Sequence, residues 1–353
     1  MEIDKVICHQ EARGISRRSI LQAGAALAVG MATSAVPSSA FAAITGSVPT
    51  GLISQFGFGV INSECVLVDK DRSVYGFGQK GIVYRVTEGG AVETFATLPE
   101  GSHPAGFAKD REGNFVYCCL GKGAVMRLSS EGKVSMLADR IGSIPLFYPN
   151  FPTYDNEGNL YVSLSSIKYD FHHLKQMLAS QEPSGALVRI RPDGRGELIA
   201  SGIFTPNASV ISPAGDAIFV IESRLNRVLR IAISSDGSTG KPEIYSQGFP
   251  SIPDGISVDI LGRLYVTCPA RREKSEDTLA YIGLKATNQI IRIDTDGQWT
   301  IIIDDPASEK FYYPTNCMFG GPEMRHLYVA NARASYMTRV ELDTPGQPRY
   351  HQL

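Results

Sequence analysis

The sequence lacks a basic stripe, a long apolar run and any C-x-x-C pair, and each absence excludes something. With Lys+Arg 34 against Asp+Glu 36, the formal net charge is -2. A chain without a clustered positive surface has no electrostatic footprint for nucleic acid. The longest early apolar stretch, residues 20–32, holds 13 residues. That is short of the roughly 20 a membrane-spanning helix needs. The cysteines carry no metal or redox spacing, so they read as small buried apolar residues. Cys65, Cys118, Cys119, Cys268 and Cys317 follow residue 42, an odd number that cannot pair completely. One disulfide remains open in an oxidising compartment, with no pair preferred.

What is present begins with a leader pattern. Ser16-Arg17-Arg18-Ser19-Ile20-Leu21 is a twin-arginine motif, followed by the Ala/Gly-rich run and the small-residue cleavage pattern Ala40-Phe41-Ala42. Residues 1–42 are therefore expected to be a twin-arginine signal peptide that engages the Tat export machinery. The expected destination is the periplasm or the exterior, with no membrane association after cleavage. Cys8 leaves with the leader, and the remaining chain holds 30 basic and 33 acidic residues, a net of -3.

Residues 43–353 repeat one sentence. "PNFPTYDNEGNLYV" begins at Pro149, "PNASVISPAGDAIFV" at Pro206 and "PDGISVDILGRLYV" at Pro253. Pro104 and Pro314 open two more copies, and Ser63 takes that place in the first. Six residues on come Asp69, Asp110, Asp155, Ser212, Asp259 and Gly320; nine residues on come Gly113, Gly158, Gly215 and Gly262, the first and last copies departing. Turn residues at fixed offsets mark a repeat. Between the turns lie short alternating runs such as "RLYVT", "RVLRI" and "WTIIID", which read as antiparallel strands. Six units of four strands predict an all-β fold, a six-bladed β-propeller. The piece "GLISQFGFGV" is expected to add an outer strand that closes the ring.

The residue after each copy's first position varies: Glu64, Ala105, Asn150, Asn207, Asp254 and Thr315. A blade's first strand lines the central channel, so these positions converge at one end of it. Five of the six carry a side-chain oxygen and two are carboxylates. Such a hard oxygen set suits Ca²⁺, with Zn²⁺, Mg²⁺ or Mn²⁺ as alternatives. A divalent ion also removes the repulsion between the carboxylates. A water-filled polar channel is the competing reading, because Asn and Asp are ordinary turn residues.

"ECVLVDKD", "PNASVISPAGDAIFVIES", "PDGISVDILGRLYV" and "PTNCMFGGPEMRHLYVANA" resemble the senescence marker protein/gluconolactonase/luciferin-regenerating-enzyme family. The resemblance implies a divalent ion held by Glu64, Asn207 and Asp254, with Asn150 beside it. It implies metal-dependent hydrolysis of lactones or related small esters, the ion polarising the carbonyl and a nearby water attacking. Asp254 is the expected general base, holding the ion with one oxygen and taking a proton with the other. Two alternatives are phosphotriester hydrolysis at the same site and a non-enzymatic calcium- or ligand-binding propeller. Where sugar-lactone members carry an Arg and an Asp, this chain has Tyr148 and Phe151, which implies a less polar substrate. Tyr148, Phe151, His103, His172 and Thr315 are the expected substrate contacts.

Two insertions are expected over the channel mouth: "SIKYDFHHLKQMLASQEPSG" and "PARREKSEDTLAYIGLKATN". In the first, Phe171, Leu174 and Leu178 are expected on one face of a short helix. His172 and His173 cannot both point inward from adjacent positions. Lys122, Arg127, Arg189, Arg230 and Arg292 read as surface charges.

Overall fold

The computed structural model describes residues 46–353 apart from 79, 181 and 275–280. The leader pattern lies outside the described residues. Among these, no helix is long and apolar enough to cross a membrane.

Six four-stranded antiparallel sheets form the blades of a propeller. From the inside outwards, blade one runs Ser63–Val68, Val74–Gly78, Ile82–Val86 and Val92–Thr97. Blades two to five open with Pro104–Lys109, Tyr148–Tyr154, Pro206–Ile211 and Ile256–Val258. Blade six takes three strands from the end of the chain, Pro314–Gly320, His326–Asn331 and Met337–Glu341. Its fourth is Ile53–Phe56, paired from Ile53 with Val340 to Phe56 with Met337. Each first strand packs beside the first strand of the next blade, and that of blade six returns to blade one. The ring is thus closed by strand pairing between the two ends of the described chain.

The repeated letters have a local cause. The Asp110 carboxylate accepts from the Asn114 N–H at 2.8 Å, Asp155 from Asn159 at 2.9 Å and Asp259 from Arg263 at 2.9 Å. These side chains cap the turn between first and second strands, and the Ser212 hydroxyl does the same for Ala217. Gly113, Gly158, Gly215 and Gly262 follow with φ of 88°, 85°, 73° and 85°, where a side chain is disfavoured. In the two departing copies Arg72 and Glu323 adopt φ of 66° and 52°.

Apolar layers fill the space between blades, and the fourth strands are the more exposed ones. All five cysteines described are buried and free. Burial pushes the Cys65 and Cys317 thiols up to about 12. Arg189 corrects the surface reading: it is buried, donating to Glu197, the Tyr161 hydroxyl and the Gly237 carbonyl.

The C-terminal segment crosses the channel end opposite the variable residues. Gln347 N–H donates to Val258 O, Tyr350 stacks on Tyr154 at 5.1 Å, and Gln352 Nε2 donates to Val68 O. His351 is buried, with Nε2 donating to the same Val68 carbonyl at 3.0 Å and Asp69, Lys109 and Arg349 around it. Burial pulls its pKa down to about 4 from the usual 6.5. The folded state therefore favours the neutral ring. The stabilisation is complete above pH 6.5 and disappears as pH falls from 6.5 towards 4, by about 3 kcal/mol in all. The expected result is a steeper fall of melting temperature over that window in the wild type than in His351→Gln. Parallel pH profiles would contradict this.

Candidate functional site

In five of the six blades the first strand reaches the site end through an irregularity in pairing, and in blade five Asp254 lies just ahead of the regularly paired strand Ile256–Val258. Ser63 pairs with Gly78 and Cys65 with Phe77, leaving Glu64 unpaired between them. Asn150 lies likewise between Pro149 and Phe151, and Thr315 between Pro314 and Asn316. The ladders of blades two and four shift over the same region. A bulge leaves one residue outside the ladder and re-aims its side chain. Nearby hydroxyls satisfy the disturbed backbone: Phe77 N–H donates to Ser63 Oγ, Phe151 N–H to Ser163 Oγ and Gly255 N–H to Thr267 Oγ1. Glycines permit the close approach of neighbouring strands. A Cβ on Gly106 would sit 2.3 Å from the Phe151 ring, and one on Gly255 would sit 2.5 Å from Asn316 Cα.

The bulged residues open into a cavity of about 510 Å³. Glu64, Asn150, Asn207, Asp254, Ala105 and Thr315 all line it, as do His103, Tyr148 and Phe151. His172 does not line it: the residue is exposed, with its ring against Phe171. His173 is also exposed and bonds Asp170 at 2.7 Å, in the cap of a short helical segment. His103 stands at the mouth with φ of 42° and its ring stacked on Phe171 at 4.8 Å.

Two hydrogen bonds orient the amides. Ser165 has one hydroxyl proton and donates it to the Pro206 carbonyl at 3.1 Å. It can therefore only accept from Asn150, whose Nδ2 is 3.0 Å away, so the Asn150 carbonyl oxygen is left for the cavity. Asn207 Nδ2 donates to Asp254 Oδ1 at 2.5 Å, which leaves its own carbonyl oxygen. Hydroxyls also tie neighbouring blades together here, Ser223 to the Pro253 carbonyl at 2.8 Å and Thr315 to the Glu64 carbonyl at 2.9 Å. Burial first, and then the Glu64 carboxylate, holds the Asp254 carboxyl well above the usual range; the Asn207 hydrogen bond opposes them. A cation between two such carboxylates would relieve that cost. The donors are two carboxylates and two amide carbonyls, and among the described residues no group of three or more His, Cys, Asp or Glu offers a rival metal cluster. The set fits a hard, oxygen-preferring ion.

Residues 79–333 match the family described as SMP-30/Gluconolactonase/LRE-like region. The chain belongs to this family. The protein STRICTOSIDINE SYNTHASE-LIKE 7 of Arabidopsis thaliana is 23% identical over 342 residues, covering 87% of this chain and 88% of that protein. The gluconolactonase of Zymomonas mobilis is 26% identical over 132 residues, 34% of this chain and 36% of that protein. The crystal structure of a calcium-binding protein, regucalcin, from Agrobacterium tumefaciens shares the fold. Its TM-score is 0.62 at 16% identity, covering 84% of this chain and 96% of that one.

Within this SMP-30/gluconolactonase-like chain, the wall above the carboxylates is apolar. Tyr148 is buried against Met177 and Leu178, and burial together with Glu64 pushes its phenol pKa up. Phe151 sits among Gly106 and the apolar layers of neighbouring blades. The blade-three insertion forms Phe171–His173 and the helix Leu174–Ala179, with Phe171 and Leu174 on the cavity wall and Leu178 packed beneath. The blade-five insertion is an extended hairpin, Leu264–Lys274 with Tyr281–Ile293, and Leu284 reaches the cavity. Sequence reasoning missed Ser165, Asn316, Lys80 and Arg333. Asn316 Oδ1 accepts from the Val66 N–H at 3.3 Å, and Lys80 and Arg333 line the mouth. Asn316, Lys80 and Arg333 share a positional signal, just after a variable residue or a second strand, whereas Ser165 lies within the second strand Leu160–Ser166.

Proposed function

We propose that this protein is a metal-dependent hydrolase of lactones or related esters with an apolar part. The observation that carries the reading is the cavity floor: Glu64, Asn150, Asn207 and Asp254 on the wall of one cavity, with the amides turned so that oxygens remain available. A divalent ion, Ca²⁺ first, held by these four residues would polarise the substrate carbonyl and stabilise developing negative charge. Asp254 accepts the proton of the attacking water on the oxygen that Asn207 does not engage. Glu64 stays ionised. Ser165, Ser223 and Thr315 hold the strands that carry these groups, so the floor is fixed before substrate arrives. Tyr148, Phe151, Phe171 and Leu174 enclose the rest of the substrate and exclude water. The family includes proteins named lactonases, which supports the reaction class. The leader pattern supports work outside the cytoplasm, on a small-molecule substrate.

The test is a panel of sugar lactones, alkyl lactones, aryl esters and phosphotriesters, assayed on protein treated with chelator and then supplied with calcium. The expected result is hydrolysis of alkyl or aryl lactones that disappears on chelation and returns with calcium. Turnover confined to phosphotriesters, or calcium binding without hydrolysis of any member, would overturn the proposal.

A further inference from the structure

The mouth of the cavity is divided. On one side lie Leu120, the insertion residues Phe171 and Leu174, and Leu284 of the long hairpin. On the other side, in equivalent loops of the adjacent blades one and six, lie Lys80 and Arg333. Each follows its blade's second strand, Val74–Gly78 or His326–Asn331. The same loops elsewhere use their cations differently. Lys122 of blade two is exposed off the cavity, and Arg224 of blade four is buried over the Phe204 ring. Arg333 is held in place, its guanidinium 4.0 Å from the centre of the Tyr313 ring, which itself lines the cavity. Among the described residues, no carboxylate pairs with Lys80 or Arg333, whereas Arg72, Arg85, Arg227 and Arg263 each have one.

The charges on the wall give the reason to expect an anion. With Glu64 and Asp254 both ionised, as a bound cation would keep them, their two charges are matched by Lys80 and Arg333. A divalent ion on the floor leaves the cavity with two excess positive charges. Because the attacking water's proton stays on Asp254, forming the oxyanion leaves that excess unchanged, and a negative charge carried by the substrate would offset part of it. We propose that Lys80 and Arg333 form a subsite for an anionic substituent of the substrate, a carboxylate, sulfonate or phosphate carried away from the scissile carbonyl. The substrate is then an amphiphile: its apolar arm lies on Phe171 and Leu174, and its anion faces blades one and six. This rests on the hydrolase reading of the floor for the identity of the reacting group, and on the rim alone for the anion.

The experiment uses two γ-lactones with the same five-carbon tail, one ending in methyl and the other in carboxylate, together with their ring-opened acids. Binding of the two opened acids is measured by calorimetry, with calcium and after chelation, and kcat/KM is measured for the two lactones. For the wild type at low ionic strength, the tail carboxylate should improve binding and kcat/KM by about tenfold. The advantage should fade towards parity in 0.5 M salt, because these rim charges are screened. Lys80→Met and Arg333→Met should each remove part of it through KM, and the double variant nearly all. Lys122→Met, off the cavity, should keep it. Melting temperatures exclude loss of folding as the cause, and Lys80→Met removes no ring contact. Equal binding of the two acids to wild type, or a preference that survives the double variant, overturns the subsite. If neither lactone turns over but the binding preference is present and lost in the double variant, the subsite stands and the hydrolase reading fails.

Discussion

Asp254→Asn should lower kcat on calcium-saturated protein by about 10²–10⁴-fold, and should also weaken calcium binding by about 100-fold because it removes a charged ligand. The substitution keeps an oxygen at Oδ1, where Asn207 Nδ2 now donates at 2.5 Å. It replaces the second oxygen with an NH₂ that cannot accept a proton. The proton acceptor is therefore lost while the fold and most of the cation site survive. Single-turnover kinetics on calcium-saturated protein, with affinity measured by calorimetry, separates the two effects. Normal calcium affinity with near-full turnover would show that another group takes the proton. Weaker calcium binding with near-full turnover once calcium is saturating would make Asp254 a ligand only.

Glu64→Gln should act in opposite directions with and without the ion. In ion-free protein Glu64 adds to the burial that raises the Asp254 pKa, so its charge is a repulsive neighbour. Removing it should raise the ion-free melting temperature. With calcium the same change removes one of two charged donors. Loss of a mere hydrogen-bond partner of a ligand costs about 10–100-fold in affinity, so loss of a charged ligand should cost about 100-fold or more. The calcium-induced rise in melting temperature should shrink accordingly, since that rise follows ligand saturation. A variant less stable than the wild type without ion, and equally stabilised by calcium, would place the cation elsewhere.

The repeat was legible because it is written in residues with strong local physics. The turn carboxylates of Asp110, Asp155 and Asp259 and the left-handed glycines after them give fixed offsets, and these set blade number and strand order. The piece "GLISQFGFGV", expected to supply an outer strand, does so through Ile53–Phe56, which pairs with the last strand. The variable residue was legible too, as the letter that changes within a constant frame. What re-aims it was not: a bulge has no letter of its own, and Glu64, Asn150 and Thr315 are unpaired only because flanking residues pair past them. Ser165 looked like one more strand residue, since its role depends on a carbonyl of the next blade. Arg189 looked exposed because its partners come from three places: Tyr161 on the second strand and Glu197 on the outer strand of its own blade, and Gly237 in a turn of the next blade. His172 drew attention by residue type, yet its place on a short helical segment turns it to solvent. The channel plug around His351 had no repeat to betray it.

The most direct measurement is the anomalous scattering from crystals of the protein grown with calcium. One peak is expected on the cavity floor, within about 2.3–2.6 Å of oxygens from Glu64, Asn150, Asn207 and Asp254. A peak away from those residues, or a floor at full calcium saturation holding only water, would contradict it.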